Sequence, residues 1–350
     1  MRRWTKLLAS LAVLALTAAA CGTPQPASKA PAAGSEAAGS GAGPLVTVNL
    51  AEVVRSLFYT PQYVALSKGY FKEEGLDVHL TTAGGSDKGA TQLLSGQADI
   101  ALVGPETGLY ILARGTDKPL RLFAELTATD GSLLVCKGEK HDFQWAELKG
   151  KTIIGNRPGS SPEMVLETIL KQHGLVPGKD VTVVTNIANA AVPGAFKDGN
   201  YDCAEMWEPV PEMFEANGWG YIAASPGEAI GRLPYTAFLA RQDTIDQHPE
   251  MIQRFTNAVY KALRWTYSAP VDEVAAAVAP FFPDTPLDLV KKSIQRYRDL
   301  KIWTDDLSVT RDQLERYETI LMDGGQLQAH VAYDDYVIPR FWEKAKESGQ

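Results

Sequence analysis

Three times between residues 46 and 114 an apolar, strand-like run gives way to a loop rich in Gly, Ser, Thr or Pro, and then to a helical pattern. The runs are VTVNL, VHL and DIALV, and the loops are SLFYTP, GGSD and GPET. Strand, loop and helix in strict alternation predict a parallel α/β layer, whose small-molecule site lies at the carboxyl ends of the strands. Strands are expected over 46–50, 78–80, 99–103 and 120–125, with one helix that carries Pro61 in its first turn, a second over 88–95, and a third that opens at GPET and runs toward Arg114. Proline is well placed in a first helical turn, where its missing N–H costs nothing.

The pattern then restarts. A strand over 133–137 is expected to cross to a second lobe, followed by strand 152–155, loop 156–162, helix 163–173, strand 181–184, helix 190–198 and strand 202–206. Residues 235–240 read as the return strand. Beyond Pro249 the periodicity is helical over 251–267, 271–281, 286–300, 311–322 and 334–346. The expected division is therefore 45–130 plus 238–350 for lobe 1 and 131–237 for lobe 2.

Ahead of this body stands MRRWTKLLASLAVLALTAAAC. A basic n-region (Arg2, Arg3, Lys6), a short apolar core and small residues before a cysteine define a signal peptide over 1–20, too short to span a bilayer as a helix. A cysteine placed directly after the small residues resembles a bacterial lipoprotein signal, so Cys21 is the expected lipidation site. Residues 22–44 are almost all Gly, Ala, Ser, Pro and Thr and form a tether with a reach of roughly 25 Å. Anchoring to the cell membrane on its outer face is the expected location.

The chain carries 34 Lys and Arg against 42 Asp and Glu, a formal charge of −8, and removing the leader makes the body more acidic still. An acidic body disfavours nucleic acid as a partner. Five scattered histidines offer no ligand spacing, so no metal is expected. Cys136 and Cys203 lie in apolar strand-like runs and read first as small buried hydrophobes, with a disulfide as the alternative. No GxSxG, P-loop or GxGxxG is present, and no catalytic residue or cofactor is assigned.

The binding chemistry is expected where strands hand over to helices, because helix N-termini offer unpaired N–H groups and a positive dipole end. The candidates are Tyr59, Gly85 and Glu106 on one wall and Ser160, Ser161, Trp207 and Glu208 on the other, with Phe58, Ser86, Thr107 and Tyr235 at strand ends beside them. Each hydroxyl has a rival role as a helix cap, each aromatic as packing, and Glu106 as a first-turn acid. Aromatic walls with one or two carboxylates suit a flat, nitrogen-rich ring held by stacking and charge-assisted hydrogen bonds. Arg157 could face an anion or pair with a nearby acid, and Asp130 is expected to cap a turn rather than to touch solute.

SLFYTPQYVALSKGYFKEEGLDV, LLSGQADIALVG, ELKGKTIIGNRPGS and MWEP together resemble the solute-binding lipoproteins of ABC importers, in the branch handling sulfonates, nitrate and thiamine-pyrimidine precursors. The resemblance covers roughly residues 46–341. It implies a type II periplasmic-binding-protein fold, two α/β lobes joined by crossing strands that close on a ligand cleft. It implies a monomer that works with a membrane permease and a cytoplasmic ATPase. The solute it suggests is aromatic and nitrogenous, such as a thiamine-pyrimidine precursor, with a sulfonate or other organic anion as the rival. Pyrimidine-forming enzymes share the fold but carry a dense cysteine run that this chain lacks.

Overall fold

The computed structural model describes residues 44–349. The leader, Cys21 and most of the tether fall outside the described residues. Ten strands form two five-stranded sheets. The first four are β1 (Val46–Glu52), β2 (Leu76–Thr82), β3 (Ile100–Val103) and β4 (Leu120–Thr127). Then come β5 (Ser132–Cys136), β6 (Thr152–Ile154), β7 (Thr182–Val184), β8 (Cys203–Trp207) and β9 (Tyr221–Ala224), and finally β10 (Thr236–Arg241). The first sheet runs β2-β1-β3-β10-β4 and the second β7-β6-β8-β5-β9.

The two sheets share one plan. Three parallel strands (β2, β1, β3 and β7, β6, β8) are followed by a single antiparallel strand, β10 in the first sheet and β5 in the second. In each sheet that strand is the one the chain enters on crossing from the other sheet. β3, with sequence IALV, is wholly buried, as a parallel strand covered on both faces must be. The helix Pro249–Ser268 buries Met251, Ile252, Phe255, Val259, Ala262 and Leu263 at helical spacing, and its apolar stripe packs on the helices Thr60–Ser67 and Arg340–Ser348.

Several boundaries differ from those expected from the sequence. The continuous helix over 334–346 is instead two pieces, Tyr333–Tyr336 and Arg340–Ser348. Between them Val337 bridges to Leu122 on β4 and the Ile338 N–H donates to the Leu122 carbonyl. Proline at 339 disfavours helical backbone at Ile338, which frees that segment to pair with the sheet. Helix 271–281 stops at Val278, ahead of Pro280. The edge strand β9 went unrecognised because its four residues show no alternation.

Cys136 and Cys203 form a disulfide, which corrects the first reading of them as separate buried hydrophobes. They face one another in register across the antiparallel β5–β8 pair, with Cα atoms 4.0 Å apart. That span falls short of the usual separation but within reach of a bridge.

One buried acid belongs to the fold rather than to any cleft. Glu125 on β4 is fully buried, and neither of its carboxylate oxygens accepts a hydrogen bond of good geometry, although Thr304 lies close. Burial drives its pKa up to about 8. A carboxyl whose folded pKa is raised carries no penalty below its unfolded value near 4.5, and its cost to stability accumulates as pH climbs from there to about 8. Glu125→Gln is therefore expected to match wild type in urea unfolding at about pH 5 and to exceed it by on the order of 3 kcal/mol at about pH 9. Equal gains at both pH values would show that the carboxyl does not titrate in the folded chain.

Candidate functional site

The carboxyl ends of β1, β3, β6 and β8 converge on one cavity between the two sheets, with about 510 Å³ of empty space including its open mouth. Of the candidates, Phe58, Tyr59, Gly85, Ser86, Glu106, Ser160, Ser161, Trp207 and Tyr235 line it. Thr107 and Glu208 do not.

The hydroxyl-bearing loops divide their labour. Ser56 accepts from the Phe58 N–H at 3.1 Å and donates to the Glu208 carbonyl at 2.6 Å, so it caps a turn and ties the two sides together. Thr107 donates to the Gly104 carbonyl at 2.9 Å, a back-bond within its own turn rather than a helix cap. Ser86 accepts from the Gly104 N–H at 3.1 Å, and its own proton remains free to donate. Ser160 donates to the Arg157 carbonyl at 2.7 Å.

Glu106 is the centre of the site. It opens the helix Glu106–Ala113, is 2% exposed, and curls over Gly104, where any Cβ would strike its carboxylate. Its Oε2 accepts from the Ser161 hydroxyl at 2.7 Å and from the Tyr317 hydroxyl at 2.9 Å. Ser161 begins the helix Ser161–Gln172 of the second sheet's layer, so one carboxylate oxygen links both walls and a C-terminal helix. Burial raises the pKa of Glu106, while the Ser161 bond, nearby Arg157 and Tyr317 oppose the rise.

At the mouth Arg157 lines the cavity and pairs with Asp87 across it at 3.2 Å, while Tyr110 donates to the Gly159 carbonyl at 3.1 Å. Both partners of the ion pair are more than one-third exposed, so it contributes at most about 1 kcal/mol and acts as a latch.

Glu208 turns away from the cavity. It is fully buried and held by the Arg296 guanidinium, by the Ser293 hydroxyl at 2.9 Å and by the Glu212 N–H at 3.2 Å. Burial raises its pKa and Arg296 opposes this. Phe58 packs against Tyr59, Tyr235 and Tyr297 and fills the space left by Gly131, so it is part wall and part core. Sequence reasoning missed Val53, Val54, Asn156 and Asn189 in the lining. Asn156 follows β6 directly, and the rule that cleft residues sit at strand ends could have found it. Among the described residues no cluster of His, Cys, Asp or Glu could hold a metal.

Two α/β layers with an antiparallel strand beside each crossing, closed on a cavity at their strand ends, define a two-lobe type II periplasmic-binding-protein fold. The periplasmic nitrate-binding protein NrtA of Synechocystis PCC 6803 superposes with a TM-score of 0.73 at 19% identity, covering 87% of this chain and 89% of that one. Residues 58–273 match the family described as "NMT1/THI5 like", and the chain belongs to that family. YtlA of Bacillus subtilis (strain 168), whose name gives it a provisional binding role, is 41% identical over 86% of this chain and 90% of its own. A 4-amino-5-hydroxymethyl-2-methylpyrimidine phosphate synthase of Candida albicans (strain WO-1) is 25% identical over 68% of this chain and 72% of its own.

Proposed function

We propose that the chain is the substrate-binding lipoprotein of an ABC importer, capturing a small aromatic, nitrogenous solute such as a thiamine-pyrimidine precursor by closure of its two lobes. The observation that carries this is Glu106, a buried acid bonded to both walls of a cavity lined by Phe58, Tyr59, Trp207 and Tyr235. Aromatic faces stack a flat ring, and a carboxylate accepts from its amino group. Ligand favours closure only if it touches both walls, and Glu106 with Ser161 offers contacts on each. Family membership supports the binding role, and the names of relatives span pyrimidine chemistry and nitrate. In this reading a permease and its ATPase are the partners, Cys21 carries the lipid anchor outside the cytoplasm, and the receptor works as a monomer.

An organic-anion receptor is the second reading, favoured by Arg157 and the helix N-terminus at Ser161 on the wall. Against it, Arg157 is already engaged by Asp87, and Glu106 would repel an anion. An enzyme reading would need residues to carry the chemistry, yet Cys136 and Cys203 are tied up in a disulfide. A thermal-shift screen decides among them. Stabilisation by 4-amino-5-hydroxymethyl-2-methylpyrimidine is expected. Stabilisation by alkanesulfonates or nitrate alone would transfer the protein to the anion class, and a new product formed with pyridoxal phosphate and iron would make it an enzyme.

A further inference from the structure

Behind the cavity wall lies a polar layer that the solute-binding account above does not use. Asp130, in the crossing after β4, is fully buried; its Oδ1 accepts from the Ser132 N–H at 2.7 Å, the turn-capping role, but its Oδ2 has no partner. Tyr235 lines the cavity and its buried hydroxyl lies near Asp130, yet neither makes a hydrogen bond of good geometry with the other. Among the described residues, these are two of the five buried side-chain polar atoms left unpaired. Glu205 on β8, 2% exposed, accepts from the Asn156 amide at 2.9 Å and from the Ser132 hydroxyl at 3.5 Å.

We propose that Tyr235 and Asn156, backed by the buried carboxyls of Asp130 and Glu205, are the specificity-determining wall of this cavity and select a solute that donates N–H hydrogen bonds. This rests on the reading that the cavity is the solute site. The wall is rich in acceptors and poor in positive charge. Tyr235 and Tyr297 face Asp130, Asp130 and Glu163 face Glu205, and among the described residues no cation pairs with either acid. The cations nearby are committed elsewhere, Arg157 to Asp87 and Arg296 to Glu208 and Glu212. Burial penalises the charge of each acid and the charge of Asp130 disfavours that of Glu205, so Glu205 keeps its proton after Asp130 has lost its own. Burial puts the Asp130 pKa up to about 6 and pushes Glu205 well above its ordinary value. Asn156 spends one of its two amide N–H groups on Glu205, and its carbonyl oxygen is an acceptor available to solute. Asp130 and Glu205 act through Tyr235 and Asn156 and are positioning residues.

The test measures calorimetric affinity for three probes: 4-amino-5-hydroxymethyl-2-methylpyrimidine, methylguanidine and ethanesulfonate. Wild type is compared with Tyr235→Phe, Asn156→Ala and Asp130→Asn, each checked for unchanged melting. For the pyrimidine, Tyr235→Phe and Asn156→Ala are each expected to weaken binding about tenfold, the scale of one lost hydrogen bond. Wild-type affinity is expected to rise as pH climbs past about 6, because Asp130 gains negative charge, and Asp130→Asn flattens that slope. A purely structural Asp130 would leave the slope intact. If the pyrimidine binds but Tyr235→Phe and Asn156→Ala stay within about twofold of wild type, the wall assignment falls and the solute reading stands. If methylguanidine binds through these residues and the pyrimidine does not, the wall stands and the aromatic reading falls. Binding of ethanesulfonate alone, or of none of the three, overturns both.

Discussion

Replacing Arg296 with methionine is expected to lower the unfolding free energy by about 3 kcal/mol at neutral pH, among the largest single-residue losses in this chain. The guanidinium sits on the helix Leu287–Asp299 and pairs with Glu208, with Glu212 at 2.7 Å and more distantly with Glu215 at 3.8 Å. Glu208 is fully buried, so removing its cation strands a carboxylate in the interior. Protonation limits the damage, because burial already raises the Glu208 pKa. The loss should therefore shrink towards pH 5, as protons become available to neutralise the orphaned acid. A second change, Glu208→Gln, should recover most of it, since the Ser293 and Glu212 bonds suit a neutral amide. Urea unfolding of the two single variants and the double variant gives the coupling directly. A loss below about 1 kcal/mol, or no recovery in the double variant, would mean the pair is solvated enough to be dispensable.

Glu106→Ala is expected to weaken pyrimidine binding about 100-fold, close to 2.7 kcal/mol. Two effects add. The Oε2 atom is occupied by Ser161 and Tyr317, which leaves Oε1 to meet the solute, so truncation removes a charge-assisted contact. It also frees Ser161 and Tyr317 and loosens the closed arrangement. Ser161→Ala separates the two effects, because it loosens closure but spares the carboxylate, and a loss nearer tenfold is expected. Titration calorimetry reads both. Equal losses in the two variants would assign the whole effect to closure and none to direct contact.

Much of this arrangement could be read from residue order. The alternation around β1, β2 and β3 foretold a parallel layer, and the loop ends at Tyr59, Ser86 and Glu106 do line the cavity. Ser160, Ser161, Trp207 and Tyr235 line it too, from the other side. What stayed hidden depends on distant partners. Glu208 ends a strand as a cleft residue should, but its counterions come from Arg296, 88 residues further on. The cysteine pair depends on the register of β5 against β8, which neither run reveals alone. Asn156 looks like an ordinary loop residue until Glu205 is seen to hold its amide. Local periodicity fixes which elements form, whereas buried polar pairs are decided by tertiary contact.

The position of β10 sets the order in which this chain can be completed. All strands of the second sheet lie within residues 132–224, so that layer can assemble as soon as they are available. The first sheet cannot, because β10 inserts between β3 and β4. Within that sheet β4 pairs only with β10, and the two threonines that join them, Thr127 and Thr236, are 109 residues apart. Until residues 236–241 emerge, an almost wholly buried strand, LRLFAELT, has no sheet neighbour. An unpaired apolar strand is an open template for aggregation. Until β10 is made, β4 is therefore the strand of the first sheet left without a sheet partner, and its seam with β10 closes only once residues 236–241 are in place.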